Sequence, residues 1–190
     1  MSNSSFDPAK RALNSVICKM IKNKGFPFDI FHMLYNACVT TVKDYAHEVI
    51  GFHEYSGSTK LHNNALRSYL GVGNSANLCG IRSEMAILEP RSRTQIKMLR
   101  FYLRMKNMSD ERLTKKIFLY DQMLSLENEN FSCWTNEIKQ IVSRNNLLFV
   151  IDSYSPKQVV NILEDSLYKK DIEMFRNQCR QSPKLRTGSC

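Results

Sequence analysis

Glycine and proline are scarce here, seven and five in 190 residues. A β-rich domain needs turn residues about every ten positions, and a disordered chain carries few apolar residues. Hydrophobic residues make up 43% of this chain, so both descriptions fail and helices are expected to dominate. Long apolar runs are also missing. None reaches the roughly twenty residues that span a bilayer, and the opening MSNSSFDPAK has no apolar signal core. The expectation is an intracellular protein, in nucleus or cytoplasm, with no membrane partner.

Catalytic patterns are absent as well. There is no G-x-S-x-G, no H-E-x-x-H and no phosphate-binding P-loop. Gly71-Val72-Gly73 lacks the third glycine and the preceding strand of a dinucleotide site, so it reads as a helix-ending turn. His47 and Glu48 adjoin, but neighbours on a helix point in different directions and make a poor acid–base pair. The cysteines, Cys18, Cys38, Cys79, Cys133, Cys179 and Cys190, form no C-x-x-C pair and are expected to stay reduced. His32, His47, His53 and His62 match no zinc spacing. No metal, no cofactor and no enzyme activity are expected.

Acidic residues are outnumbered, 18 against 27 Lys and Arg, for a formal charge of +9. Such an excess favours nucleic acid or another anionic surface as partner. It is concentrated at Lys10, Arg11, Lys19, Lys22 and Lys24, a stretch without an acid, and from Arg176 to Arg186.

What the chain does contain is helical spacing. Asp7 and Pro8 open a helix that Gly25 closes, with Leu13, Val16, Ile17, Met20 and Ile21 on one face. A second helix is expected from Pro27 to about Val49, with Ile30, Leu34, Cys38, Val42 and Tyr45 facing inward and the two helices forming a hairpin. A loop over Gly51–Thr59 precedes a short helix from Leu61 to Leu70, ended by Gly71. Ser75 is expected to cap the next, to about Leu88, and Pro90 to open another. Ser109 precedes a helix with Leu113, Ile117, Phe118 and Leu124 inward. Trp134, Ile138, Ile141 and Val142 mark a further one. LLFVI, 147–151, reads as a buried connector, and Ser155-Pro156 begin a last helix that runs to Pro183. The fold class is all-α, about eight helices in a single irregular bundle.

Charge and helix coincide in RSRTQIKMLRFYLRMKNM, residues 91–108. Arg93, Lys97, Arg100 and Arg104 fall four, three and four apart and so share one narrow face. Ile96, Leu99 and Leu103 flank it on one side and Met98, Phe101 and Met105 on the other. A solvated ridge and a row of phosphate contacts both fit this pattern. Aromatics interleave with the basic residues at Phe101, Tyr102, Tyr120, Tyr168 and Phe175, of which only exposed ones could stack on bases.

Five segments in order resemble the C-terminal part, thumb and post-thumb, of a non-LTR (LINE-type) retrotransposon reverse transcriptase. FHMLYNACVTTVKDYAHEVIG, 31–51, resembles the helix ending in Tyr-Gly-x-Glu-Val-Trp-Gly, keeping Tyr45, Glu48, Val49 and Gly51, with Ala46 and Ile50 in place of glycine and tryptophan. ALRSYLGV, 65–72, with Leu70 and Gly71, is similar to the short helix that follows. Ser83-Glu84-Met85 with Pro90 and the stripe resembles the next segment, Phe131 with Trp134 and Ile138 the one after, and Pro183 with Lys184, Leu185, Arg186 and Thr187 the terminal signature. The resemblance spans most of the chain. It implies a thumb-like hairpin in residues 1–72 and a post-thumb region in 73–190, packed as one unit.

The catalytic aspartates of that family lie in a palm, and this chain contains no Asp-Asp pair. The expected function is therefore a non-catalytic, basic helical module that binds the backbone of RNA, DNA or an RNA–DNA hybrid without sequence preference. Lys19, Lys22 and Lys24 are one candidate set, and Arg93, Lys97, Arg100 and Arg104 the other. The alternatives are a helical protein-interaction module, self-association included, and a truncated retroelement remnant that has lost nucleic-acid binding.

Overall fold

A computed structural model describes residues 7–45, 47–50, 56–85, 87–127 and 133–181. No strand occurs among them, so the fold class is all-α. Eight helices have seven residues or more: α1 (Asp7–Lys22), α2 (Phe28–Leu34), α5 (Ser56–Leu70), α6 (Leu78–Met85), α7 (Pro90–Lys106), α8 (Leu113–Glu127), α9 (Trp134–Arg144) and α11 (Pro156–Gln181). The short α3 (Thr41–Lys43), α4 (His47–Ile50) and α10 (Val150–Ser153) lie between them. The described residues fall into two compact units, one drawn from 7–45, 56–90 and 171–181, the other from 47–50 and 91–170.

In the first unit α1 packs on α5 and on the helix that continues α2, which gives the expected hairpin. Leu13, Val16 and Met20 of α1 are buried against Phe31, Tyr35, Val39, Leu61 and Leu66, and Ile17 packs half-buried at the edge. Each large side chain removed from water in this way contributes about 1.5–3 kcal/mol. Phe31 stacks on Tyr69 with ring centroids 4.4 Å apart, and the Tyr35 hydroxyl meets His62 Nδ1 at 3.0 Å. Ile21, expected inward, is exposed because the helix has turned past the core by that point.

Helix α2 departs from its expected register. A π-helical segment, Tyr35–Thr40, follows it, and the buried residues are Phe31, Tyr35, Val39 and Lys43. A wider turn repeats nearer every fourth residue than every 3.6, so a face projected at α-helical spacing drifts outward. Ile30, Cys38, Val42 and Tyr45, expected inside, are exposed, Tyr45 at 84%. The helix ends at Lys43 rather than near Val49, and the Lys43 ammonium is buried between the Asp44 carboxylate and Ser58 Oγ. Helix α5 starts at Ser56, five residues before the expected Leu61, and most of the expected loop, 51–55, lies outside the described residues. Helix α6 is capped by the Asn77 side chain, which accepts from Cys79 N–H at 2.9 Å, rather than by Ser75.

In the second unit α7 begins at Pro90 as expected, with Ile96, Met98, Leu99, Leu103 and Met105 buried on both sides of its charged stripe. Helix α8 packs on α9, and Tyr102, Phe118 and Trp134 form an aromatic cluster with centroids 5.6–6.3 Å apart. Lys115 is buried and donates to the Met105 and Lys106 carbonyls at 3.1 and 2.9 Å, closing the α7 C-terminus.

Two expectations fail in this unit. Leu113 and Ile117 of α8 face solvent, 73% and 60% exposed, while Lys115, Phe118 and Ser125 face in. Of the connector 147–151, Leu147 is buried but Leu148 and Phe149 are exposed. The last helix starts as expected: Gln158 Oε1 accepts from the Ser155 backbone N–H at 3.0 Å and from its hydroxyl at 2.7 Å. Val159, Leu163 and Leu167 follow it inward, whereas Ile162 is exposed; Pro183 is outside the described residues.

Candidate functional site

Helix α1 carries its basic residues on two faces. Arg11, Lys19 and Lys22 lie on the side away from the buried Ala9, Leu13, Val16 and Met20, and all three are exposed. None of them forms an ion pair among the described residues. Lys24 follows in a left-handed turn, φ 57°, from which Gly25 N–H reaches the Met20 carbonyl at 2.9 Å. The helix is therefore stopped by a Lys–Gly pair, with lysine in the first position that glycine ordinarily takes.

Lys10 points a different way, into a groove between α1 and α5. The residues lining the α1 side, Lys10, Leu13, Asn14 and Ile17, recur at helical spacing, as do Gly57, Lys60, Leu61, Asn64, Arg67 and Ser68 on α5, with Gly71 just beyond its end. Buried Leu13 and Leu61 form its floor, and Lys10, Asn14, Lys60, Asn64 and Arg67 its rims. Its volume, about 660 Å³, is that of a ligand cleft. Among the described residues no carboxylate lines it.

Arg67 is fixed there by donation from Nη2 to the Asn74 and Ala76 carbonyls at 3.2 and 3.3 Å. Those carbonyls follow the turn that Gly71 makes at φ 66°, where Val72 N–H bonds back to the Arg67 carbonyl at 3.1 Å. Lys60 is exposed and unpaired among the described residues. Lys10 meets Asp7 at 3.5 Å, but both side chains are more than half exposed, and such a pair holds a lysine weakly.

The α7 stripe is not uniform. Arg93 and Lys97 are half-buried and neither is free, while Arg100 and Arg104 are exposed. Arg104 lies 3.7 Å from the Glu48 carboxylate, and its guanidinium sits 4.8 Å from the Phe101 ring centroid. Trp134 Nε1 donates to the Glu48 carbonyl at 3.0 Å, and Trp134 packs edge-on against Phe101. Glu48, Trp134 and Arg104, drawn from three separate sequence segments, thus meet at one place in the second unit.

The other motif residues scatter. Tyr45 and Glu84 are exposed, Leu70 is half-buried, and Gly71 supplies a turn. Gly51, Lys184, Leu185 and Arg186 lie outside the described residues. Of the interleaved aromatics, Tyr120 and Tyr168 are exposed, Phe101 and Tyr102 half-buried, and Phe175 buried.

Sequence reasoning missed Lys60, Arg67, Asn14 and Asn64, because the groove joins helices far apart in the chain. The repeat of Lys10 with Asn14 and of Lys60 with Asn64, each four apart, was the available signal. A further arginine is excluded from solvent chemistry: Arg82 is held by the Asn63 side chain at 2.9 Å, by Glu89 at 2.6 Å and against the Phe175 ring.

Comparison with known proteins adds no relative: no family model, curated protein or solved structure matches the chain. No helix among the described residues is long and apolar enough to cross a membrane. The fold and its surfaces define a helical chain with a basic groove and a half-exposed arginine row.

Proposed function

We propose that this chain is a non-catalytic module that holds nucleic acid by its phosphates, without reading sequence, in line with its resemblance to the thumb and post-thumb region of a non-LTR reverse transcriptase. The observation that carries the reading is the groove between α1 and α5, rimmed by Lys10, Lys60 and Arg67 with no acid in its lining among the described residues. Arg67, pinned by carbonyls, presents a positioned cation, whereas Lys10 and Lys60 can turn toward a phosphate. Asn14 and Asn64 add donors for phosphate or sugar oxygens.

The outer face of α1, with Lys19, Lys22 and Lys24, and the exposed pair Arg100 and Arg104 on α7 extend the electrostatic footprint of their own units. Arg93 and Lys97, half-buried, contribute field rather than direct contact. RNA, DNA and their hybrid all fit such a surface.

Fluorescence anisotropy on single-stranded RNA, duplex DNA and RNA–DNA hybrid, titrated with salt, tests the reading. Reversal of Lys10 and Lys60 to Glu is expected to weaken all three and to flatten the salt slope by roughly one contact per substitution. Undiminished binding by that variant sinks the groove as the site.

A further inference from the structure

In the first unit α6 and the end of α11 run antiparallel. The Arg82 guanidinium of α6 lies 5.7 Å from the Phe175 ring centroid on α11, and the Cys79 thiol donates to Gln178 Oε1 at 3.1 Å. One turn back on α6, from 82 to 79, therefore corresponds to one turn forward on α11, from 175 to 178. Beyond the other end of α6, Glu89 N–H meets the Asp171 carboxylate at 3.1 Å, which carries the same register onward.

Asp171, Phe175 and Cys179 stand four apart on α11 and so share one face. Asp171 and Phe175 are buried, and Cys179, half-buried, continues their face by a turn. Cys79, also half-buried, sits across from that turn with its thiol aimed at the neighbouring Gln178. Both cysteines are free. A disulfide needs two cysteines at one level of facing elements, and this register supplies them.

We propose that Cys79 and Cys179 are a redox site, at which an oxidant of the peroxide class joins the two thiols into a disulfide that clamps the last turns of α11 to α6. The Cys79 thiolate attacks a peroxide oxygen, the O–O bond breaks, and one water leaves with a sulfenic acid on Cys79. The Cys179 sulfur then attacks the Cys79 sulfur, the S–O bond breaks, and a second water carries the oxygen away. Two thiols lose two electrons and two protons, and one peroxide becomes two waters. Burial, and after it the neighbouring Cys79, raises the Cys179 thiol above its ordinary 9.0, which suits Cys179 to the second step rather than the first. The bridge closes a loop of about a hundred residues that contains all of 91–170, so it removes much of the freedom of the unfolded chain. It does not depend on phosphate binding.

The full chain, reduced and then treated with a small excess of hydrogen peroxide, is alkylated and mapped by mass spectrometry without reductant. The expected result is a peptide pair joined through Cys79 and Cys179 within a monomer, lighter by two hydrogens and separated again by dithiothreitol. The bridged chain is expected to melt about 10 °C above the reduced one. Cys79→Ser and Cys179→Ser should each remove both the link and the shift, with the helix content of the reduced chain unchanged by circular dichroism. A variant that keeps only Cys79 and Cys179 should link as the parent does. Free thiols at both positions after peroxide overturn the proposal, as do bridges to Cys18, Cys38 or Cys190 in its place, or links only between chains. A linked chain that melts no higher than the reduced one overturns the clamp.

Discussion

Lys24 shows how a single residue can serve a surface at a cost to the fold. It occupies left-handed backbone space, φ 57°, where a side chain costs about 1–2 kcal/mol. Glycine there removes that strain but loosens the unfolded chain, so Lys24→Gly is expected to stabilise the protein by about 0.5–1 kcal/mol. Chemical denaturation measures this, and the same variant should bind phosphate backbone more weakly. A substitution that stabilises while it weakens binding separates the two roles of the position.

Glu89 is a second such residue. Burial pushes its carboxyl above the ordinary value of 4.5, the Arg82 guanidinium pulls it back, and Asp171 pushes it up again. Its carboxylate touches Arg82 while its own N–H donates to Asp171 at 3.1 Å. An acid that holds its proton more tightly when folded adds stability at low pH, and that stability is lost as pH climbs from 4.5 through the raised folded value. Glu89→Gln cannot titrate, so the variant is expected to lose less stability over that window than the parent. Equal pH slopes for the two proteins would contradict the assignment.

Among the elements, α7 shows how a buried cation ends a helix. Lys115 spans to the Met105 and Lys106 carbonyls, and Lys106 in turn pairs with Asp152, a hydrogen bond that holds its ammonium above the ordinary lysine range. Lys115→Met keeps the stem and deletes the donors, leaving two carbonyls without their partner. The expected loss is about 1–2 kcal/mol, read as a lower denaturant midpoint at unchanged slope.

What could be read from the chain, and what could not, follows element by element. Helices α1, α7 and α11 announce themselves by a start signal, Asp7-Pro8, Pro90 and Ser155-Pro156, and α9 by the spacing of Trp134, Ile138, Ile141 and Val142. Of the α8 residues expected inward, Leu113, Ile117, Phe118 and Leu124, Phe118 is buried while Leu113 and Ile117 are exposed, because the helix turns the side that carries Lys115, Phe118 and Ser125 to the core and leaves its more apolar side outward. The α2 register departs from α-helical projection because the π-helical segment Tyr35–Thr40 repeats at a wider spacing. Lys43, a charged residue in the core, is invisible to any pattern that equates buried with apolar; its pairing with Asp44 and Ser58 is what helps make the position tenable.

At the scale of the whole molecule, the excess of 27 basic over 18 acidic residues is plain in the sequence, but its distribution is not. The sequence singled out Lys19, Lys22 and Lys24 and the α7 row as phosphate candidates. The structure divides the row, with Arg93 and Lys97 half-buried and Arg100 and Arg104 exposed, and adds a groove whose cations come from two helices. That groove could not be read from either helix alone, since its rims meet only once α1 has packed on α5.

Phosphate binding without sequence readout is the central claim, and its salt dependence is the most direct measure of it. On duplex DNA the logarithm of affinity should fall linearly with the logarithm of salt concentration, with a slope near −0.9 per phosphate contact. Three sequences of unrelated composition should give one common line. Reversing Lys10 and Lys60 should make that slope shallower by about two contacts, and reversing Arg100 and Arg104 should do the same. Negligible affinity at low salt, or an affinity that salt and charge reversal leave untouched, would contradict the account.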